Sequence, residues 1–301
     1  MNKMAVVECK NVSKCFKDKK ALDDVSFQLD ENKIYALLGR NGAGKTTLLN
    51  CLCTKFIPDS GIINVLGEEA YENEKVLKEI CFMSDHMSGF EAKKVKTVLK
   101  YAKTFYERWN EPLMGKLIEF FEINTEAFYS DLSKGQQTEI SIIIGLCSGC
   151  RIVLLDEIYS GLDAVARKNF YEILLDEQEN NPRTFVLSTH LIEEMAGLFT
   201  DVIIIDNGRI VLCEDMEIVH MKAHKCVGRS DDKELLSGKN IIAVNKLGTV
   251  TEYVMYDELE NDEIDMLREK GFTISSMTLQ ELFIAYTQND KKEWGESYVC
   301  S

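Results

Sequence analysis

Apolar and polar positions change their spacing several times along the chain, and each change marks a different kind of element. Residues 5–39 hold three short β-like runs separated by turn residues: "AVVECKNVSKCF", "LDDVSFQL" and "KIYALLG". The last is almost continuously apolar and runs straight into glycine, which predicts a buried parallel strand. "KTTLLNCLC" (45–53) then takes helical spacing without Gly or Pro. Residues 91–148 read as a helical insertion, because "AKKVKTVLKYAKTFYERW" and "PLMGKLIEFFEI" place apolar residues at intervals of three and four. Strand spacing returns in "RIVLLDE" (151–157), "TFVLSTH" (184–190) and "DVIIIDNGRIVL" (201–212), with "AVARKNFYEILLDEQE" as an intervening helix. That alternation predicts an α/β core around a mostly parallel sheet with an antiparallel edge.

The pattern breaks again near residue 215. "NIIAVNKLGTVTEYVMY" predicts a hairpin turning at Leu247-Gly248, and "DELENDEIDMLREKG" an acidic helix closed by Gly271. "FTISS" and "LQELFIAYT" add a strand and a helix. The expected organisation is a core over 1–215, with a helical subdomain at about 86–148, and a small α+β appendix over 216–301.

The formal net charge of −15 argues against a nucleic-acid partner, which needs a basic face against phosphate repulsion. No apolar run approaches the ~20 residues that span a bilayer, and "MNKMAVVECK" lacks the apolar core of a signal peptide. The chain is therefore expected to be cytosolic. Its ten cysteines form no disulfide framework. Cys147 and Cys150 make one CxxC, with no second pair to complete a zinc site.

"LLGRNGAGKTTLLN" (37–50) satisfies G-x-x-x-x-G-K-[ST] through Gly39, Gly44, Lys45 and Thr46. Glycines let backbone N–H groups curl around a phosphate, and the following helix adds the positive end of its dipole. Gly39, Asn41, Gly42, Gly44, Lys45, Thr46 and Thr47 are the candidate nucleotide contacts. Lys45 would reach the terminal phosphates and Thr46 would ligate Mg²⁺. In "IVLLDEIYSGLD", a buried strand can end in Asp156 and Glu157 only where it emerges at a ligand-binding sheet edge. Asp156 suits a Mg²⁺ role and Glu157 a general base for the attacking water.

Upstream of that strand, "DLSKGQQTEI" places Leu132, Ser133, Lys134, Gly135 and Gln136 in a run that closely resembles the LSGGQ signature of ATP-binding cassette (ABC) ATPases. The resemblance covers about residues 4–215. It implies that Ser133, Gly135 and Gln136 meet the ATP held by a second ATP-binding subunit, in a homodimer or heterodimer. It also implies that Phe16 stacks on adenine, that Asp163 of "SGLD" lies at the dimer seam, and that His190 of "LSTHLIEE" contacts the γ-phosphate. The implied cofactors are ATP and Mg²⁺. Three positions depart from the family: Asp85 stands where a glutamine is usual, and Ile158 and Ala164 replace prolines. Asp85 is expected to keep a metal-linked role.

Two functions fit such an ATPase: the nucleotide-binding subunit of a transporter whose permease is a separate chain, or a soluble ABC ATPase acting on nucleic acid or ribosomes. One phosphate loop, one signature and a short helical insertion favour the transporter, peripheral at the cytoplasmic face of the membrane. "FYERWNEP", "DLSKGQ" and "SGLDAVARK" are similar to the bacterial antibiotic-responsive and bacitracin-resistance exporter group. That similarity implies export of peptide-like or lipid-linked compounds. Lys93, Lys96, Lys100 and Lys103 recur at helical intervals, as a solvated face or as a docking stripe for the permease or anionic headgroups.

Overall fold

Ile34–Leu38 is buried at every position, because the strand has a parallel neighbour on each edge and cover on both faces. The computed structural model describes residues 5–84, 87–229 and 235–288. Contacts divide it into one unit of Met1–Leu191 with Gly197–Cys213, and another of Ile192–Ala196 with Glu214–Ser301.

In chain order the elements begin with β1 (Ala5–Phe16), β2 (Lys19–Asp30), β3 (Ile34–Leu38), α1 (Lys45–Leu52), β4 (Ser60–Val65), β5 (Glu68–Glu69), α2 (Glu74–Leu77) and β6 (Ile80–Ser84). Then come α3 (Val95–Phe105), α4 (Glu111–Phe120), α5 (Lys134–Cys147), β7 (Ile152–Asp156), α6 (Ala164–Asn180) and β8 (Thr184–Ser188). The short helix α7 (Ile192–Met195), grouped with the second unit, precedes β9 (Asp201–Asp206) and β10 (Arg209–Asp215).

The main sheet has the order β10-β9-β3-β8-β7-β6, and the four pairings from β9 through β3, β8 and β7 to β6 are parallel. The fold is thus α/β with a mostly parallel sheet, as the alternating pattern predicts. The run "DVIIIDNGRIVL" is two strands rather than one. Asn207 and Gly208 take φ of 46° and 79°, the positive pair that a two-residue hairpin turn requires.

A second, antiparallel sheet has the order β2-β1-β4-β5. Between the two sheets lies α1, packed against both β2 and β7. Its Leu48 and Leu49 join a core with Val12 and Leu29 of the antiparallel sheet and Leu154 and Val186 of the parallel one. The insertion is helical in α3, α4 and α5. Asn110 caps α4 by accepting from Leu113 N–H at 3.1 Å, and Pro112 sits in its first turn, where no intrahelical donor is lost.

The second unit continues with α8 (Met216–Lys222), β11 (Ala223–Arg229), β12 (Ile241–Leu247), β13 (Val250–Tyr256), α9 (Asn261–Glu269), β14 (Thr273–Ser276) and α10 (Leu279–Thr287). Its sheet has the order β12-β13-β11-β14. The predicted hairpin is β12–β13, joined through Gly248-Thr249 rather than Leu247-Gly248. Gly271, at φ 92°, ends α9. Its N–H donates to Arg268 O at 2.9 Å and the Phe272 N–H to Leu267 O at 3.0 Å, the paired bonds of a Schellman closure. Phe272 then enters the core with Cys226, Tyr253, Met255 and Leu267.

Gly228 of β11 leaves room for that ring, since a Cβ there would fall 2.3 Å from Phe272 Cε1. Gly228→Ala should therefore destabilise the second unit by about 1–3 kcal/mol. Thermal unfolding would show a lower midpoint, with partial recovery when Phe272→Leu is added. An unchanged midpoint in the single variant would refute this packing.

Candidate active site

The parallel register brings three chain segments to one sheet edge. Ser188 pairs with Leu37 on one side and with Asp156 on the other, and Asp156 pairs with Ser84. The loop after β3, the carboxylates after β7 and the segment after β8 therefore leave the sheet together, at the carboxyl ends where open α/β sheets bind ligands.

Gly42 and Gly44 hold φ of 80° and 117°, conformations that L side chains rarely adopt. A Cβ on Gly44 would also lie 2.6 Å from Ala21 O, and one on Gly39 would lie 2.7 Å from Ile205 O. Gly44 is the N-cap of α1, and no side chain caps that helix. Its first turn presents backbone donors and the positive dipole end to the loop's interior. A cleft of about 410 Å³ opens there, lined by Phe16, Lys19, Asn41, Gly42, Lys45, Thr46, Thr47 and Glu157 among others.

Lys45 is buried and curls back over the loop. Its Nζ donates to Gly39 O at 2.6 Å and lies 3.3 Å from Glu157 Oε1. The other carboxylate oxygen of Glu157 is 2.7 Å from His190 Nδ1. One carboxylate thus joins the phosphate-loop lysine to the histidine after β8. Glu157 also stands in the left-handed region, at φ 51° and ψ 26°, a conformation costing a non-glycine residue about 1–3 kcal/mol. Its N–H donates to Ser188 Oγ at 2.9 Å and, at 3.2 Å, to Ser188 O. Ser188 Oγ in turn donates to Asp156 Oδ1 at 2.6 Å. Ser188, which the sequence motifs do not single out, orients the Asp156 carboxylate and pins the Glu157 backbone; the only hint was its place two residues before His190.

The remaining sequence candidates fall in two places. Phe16 is 43% exposed and meets Phe56 edge-on at 5.3 Å between centroids, leaving ring area open to the cleft. Ser133 caps α5 by accepting from Gln136 N–H at 3.2 Å, while Gln136 Oε1 accepts from Ser133 N–H at 3.1 Å. This reciprocal box shapes the signature turn, and Ser133, Gly135 and Gln136 do not line the cleft. Asp163 caps α6, accepting from Ala166 N–H at 2.9 Å. Gly135 and Gly161 pack closely, a Cβ on the first falling 3.2 Å from Gly161 O. Burial, and secondarily the Asp163 charge, raises the Glu139 carboxyl above its ordinary range on that same helix. Asp85 lies outside the described residues.

For a metal, no three His, Cys, Asp or Glu side chains come together as a cage among the described residues. The oxygen donors of this edge are the Thr46 hydroxyl and the buried Asp156 carboxylate. So sparse a set fits Mg²⁺, which keeps waters and takes further ligands from substrate phosphates. The nearby thiols do not add to it: burial pushes Cys51 up to about 12 and raises Cys53 as well, so both stay protonated.

Comparison with known proteins points the same way. A family model described as ABC transporter matches residues 22–160. The ABC transporter ATP-binding protein YtrB of Bacillus subtilis (strain 168) is 24% identical over 294 residues, covering 96% of this chain and 100% of that protein. An uncharacterized ABC transporter ATP-binding protein of Methanocaldococcus jannaschii is 32% identical over 213 residues, covering 68% of this chain and 76% of its own length. The fold is similar to that of a dimeric ATP-binding cassette in a post-hydrolysis state bound to ADP and Pi, with a TM-score of 0.60 and 21% identity over 70% of this chain and 98% of the other.

The bridging hydroxyl can be tested directly. Ser188→Ala should lower kcat about tenfold or more, the scale of a lost hydrogen bond to a charged group. KM should move by less than about threefold, because the bonds hold Asp156 and the Glu157 backbone rather than phosphates. Ser188→Thr should keep most of the activity. Steady-state hydrolysis measures both constants, and an unchanged kcat in the alanine variant would remove Ser188 from the site.

Proposed function

The chain belongs to the ABC transporter family of ATP-binding proteins, an ATPase family, and from that premise we propose that it is the nucleotide-binding subunit of a membrane exporter. In this reading it binds the cytoplasmic face of a separate permease and couples ATP-driven dimer closure to expulsion of peptide-like or lipid-linked compounds. The observation that carries the reading is the division of the machinery. The phosphate loop, Glu157 and the adenine-stacking Phe16 share one cleft, while the Ser133 signature stands outside it. A signature turned away from its own nucleotide has work to do only on the nucleotide of another subunit.

In this reading the cleft residues divide the steps of hydrolysis among them. Lys45 holds Glu157 through an ion pair. A triphosphate entering the loop competes for that ammonium, and its transfer to the phosphates releases the carboxylate. Glu157 then accepts the proton of the attacking water, with His190 2.7 Å from its other oxygen and assigned to the γ-phosphate in this reading. Thr46 and Asp156 would hold Mg²⁺, which supplies positive charge against the phosphate oxygens. Asn41, Gly42, Gly44 and Thr47 complete the cradle.

Support for a permease partner comes from the helical insertion. Leu99, Met114 and Ile118 floor a groove of about 590 Å³ between α3 and α4, with Lys96, Lys100 and Lys103 on its rim. Lys96 pairs with Glu126 at 2.6 Å and Lys103 with Glu111 at 3.0 Å. The stripe is thus partly neutralised within the subunit, while all four of its lysines remain exposed. No helix among the described residues is long and apolar enough to cross a membrane, which accords with a peripheral subunit.

Glu157→Gln should reduce hydrolysis by about 10²–10⁴-fold and trap the closed state. Light scattering with and without Mg-ATP should then show conversion of monomer to dimer. A chain that hydrolyses at the normal rate without this carboxylate would defeat the assignment of the base. One that stays monomeric with ATP bound would defeat self-closure and require a different partner ATPase.

A further inference from the structure

The hairpin that ends β1 carries a second side chain aimed at the phosphate loop. Phe16 and Lys19 are cross-strand partners in the β1–β2 ladder, joined by Lys17-Asp18 with Lys17 at φ 51°. Directly opposed residues of an antiparallel pair project their side chains to the same face. Both side chains line the cleft that holds Lys45, Thr46 and Thr47. Lys19 Nζ lies 3.4 Å from Gly42 O, and a Cβ built on Gly42 would meet the same ammonium at 3.4 Å. The exposed side chain therefore reaches across from the hairpin to the outer rim of the loop.

Its neighbours are committed elsewhere. Lys20 pairs with Asp23, and Lys14 with Asp59 at 2.9 Å. Lys19 has no ion pair among the described residues, and its one hydrogen bond is the long contact to Gly42 O. An ammonium has three donors, so most of its capacity faces the cleft. In a chain of net charge −15, a cation on the rim of a phosphate-binding loop is placed where an incoming polyanion gains most from it.

We infer that Lys19 is a nucleotide-binding residue whose ammonium contacts the phosphate chain from the solvent side of the loop. Phe16, on the same face of the hairpin, takes the base. The inference rests on the reading of this cleft as the nucleotide site. It makes the hairpin a two-point clamp, in which one rigid turn recognises the ring and the charge of the same ligand while Lys45 acts from the buried side.

Calorimetric titration of the full chain with ADP and with inorganic pyrophosphate tests the inference. Lys19→Met, which keeps the apolar stem, should weaken both ligands about tenfold at ~50 mM salt, as for a lost charge-assisted hydrogen bond at an exposed site. The deficit should shrink toward ~0.5 M salt as screening grows, and Lys19→Arg should restore most of the affinity. Pyrophosphate has no base to stack. A loss confined to ADP would show that Lys19 only tethers the hairpin, and equal affinities in both proteins would overturn the inference outright. Lys45→Ala separates this failure from a deeper one. If pyrophosphate still binds that variant, the cleft is not the phosphate site; if it does not and Lys19→Met is silent, Lys19 alone is excluded.

Discussion

The alignment of β3, β8 and β7 is the constraint on which the site depends. Parallel pairing places Leu37, Ser188 and Asp156 in one row across the sheet, so the loops that follow them start from a common edge. A slip of one residue in β7 would turn Asp156 to the opposite face of the sheet and bury Glu157 in the strand. Ser188 resists such a slip, since its hydroxyl bonds the Asp156 carboxylate and the Glu157 N–H and its own backbone sits in the ladder. Hydrogen bonding within the sheet and orientation of the Asp156 carboxylate are therefore one set of contacts.

Electrostatics at that edge are balanced within the chain. Lys45 is 7% exposed, and a cation so placed needs compensation; Gly39 O and Glu157 provide it. The same carboxylate reaches His190. The resting arrangement satisfies the lysine and occupies the carboxylate, so a nucleotide must offer more negative charge than Glu157 does before it can replace it. A polyphosphate meets that condition and a single carboxylate does not, which makes the loop selective by charge as well as by shape.

Where local chemistry decides the structure, the residues announce it. The phosphate loop was legible because glycines at φ 80° and 117° leave little choice of residue, and the central strands because burial on both faces demands an unbroken apolar run. The Gly271 helix end was legible for the same local reason. Non-local partners were not. "AHKCVGR" shows no clean alternation, yet β11 is central in its sheet because β13 and β14 supply its hydrogen bonds from far along the chain. Ser188 owes its importance to partners about thirty residues away, the Asp156 carboxylate and the Glu157 N–H. Lys19 acquires a place in the cleft only when the hairpin folds over Gly42. The double strand at Asn207-Gly208 is a different case: the turn dipeptide was visible, and the apolar run around it obscured the break.

The contact between the signature turn and the loop before α6 has a mechanical consequence. Gly135 faces the Gly161 carbonyl with no side chain between them, and a Cβ on Gly161 would collide with Thr138 Oγ1 at 2.6 Å. Backbone meets backbone there, with the Thr138 side chain filling the space beside Gly161. Any shift of the signature turn therefore bears directly on the loop that leads into Asp163, since a change at either side must be accommodated at this contact.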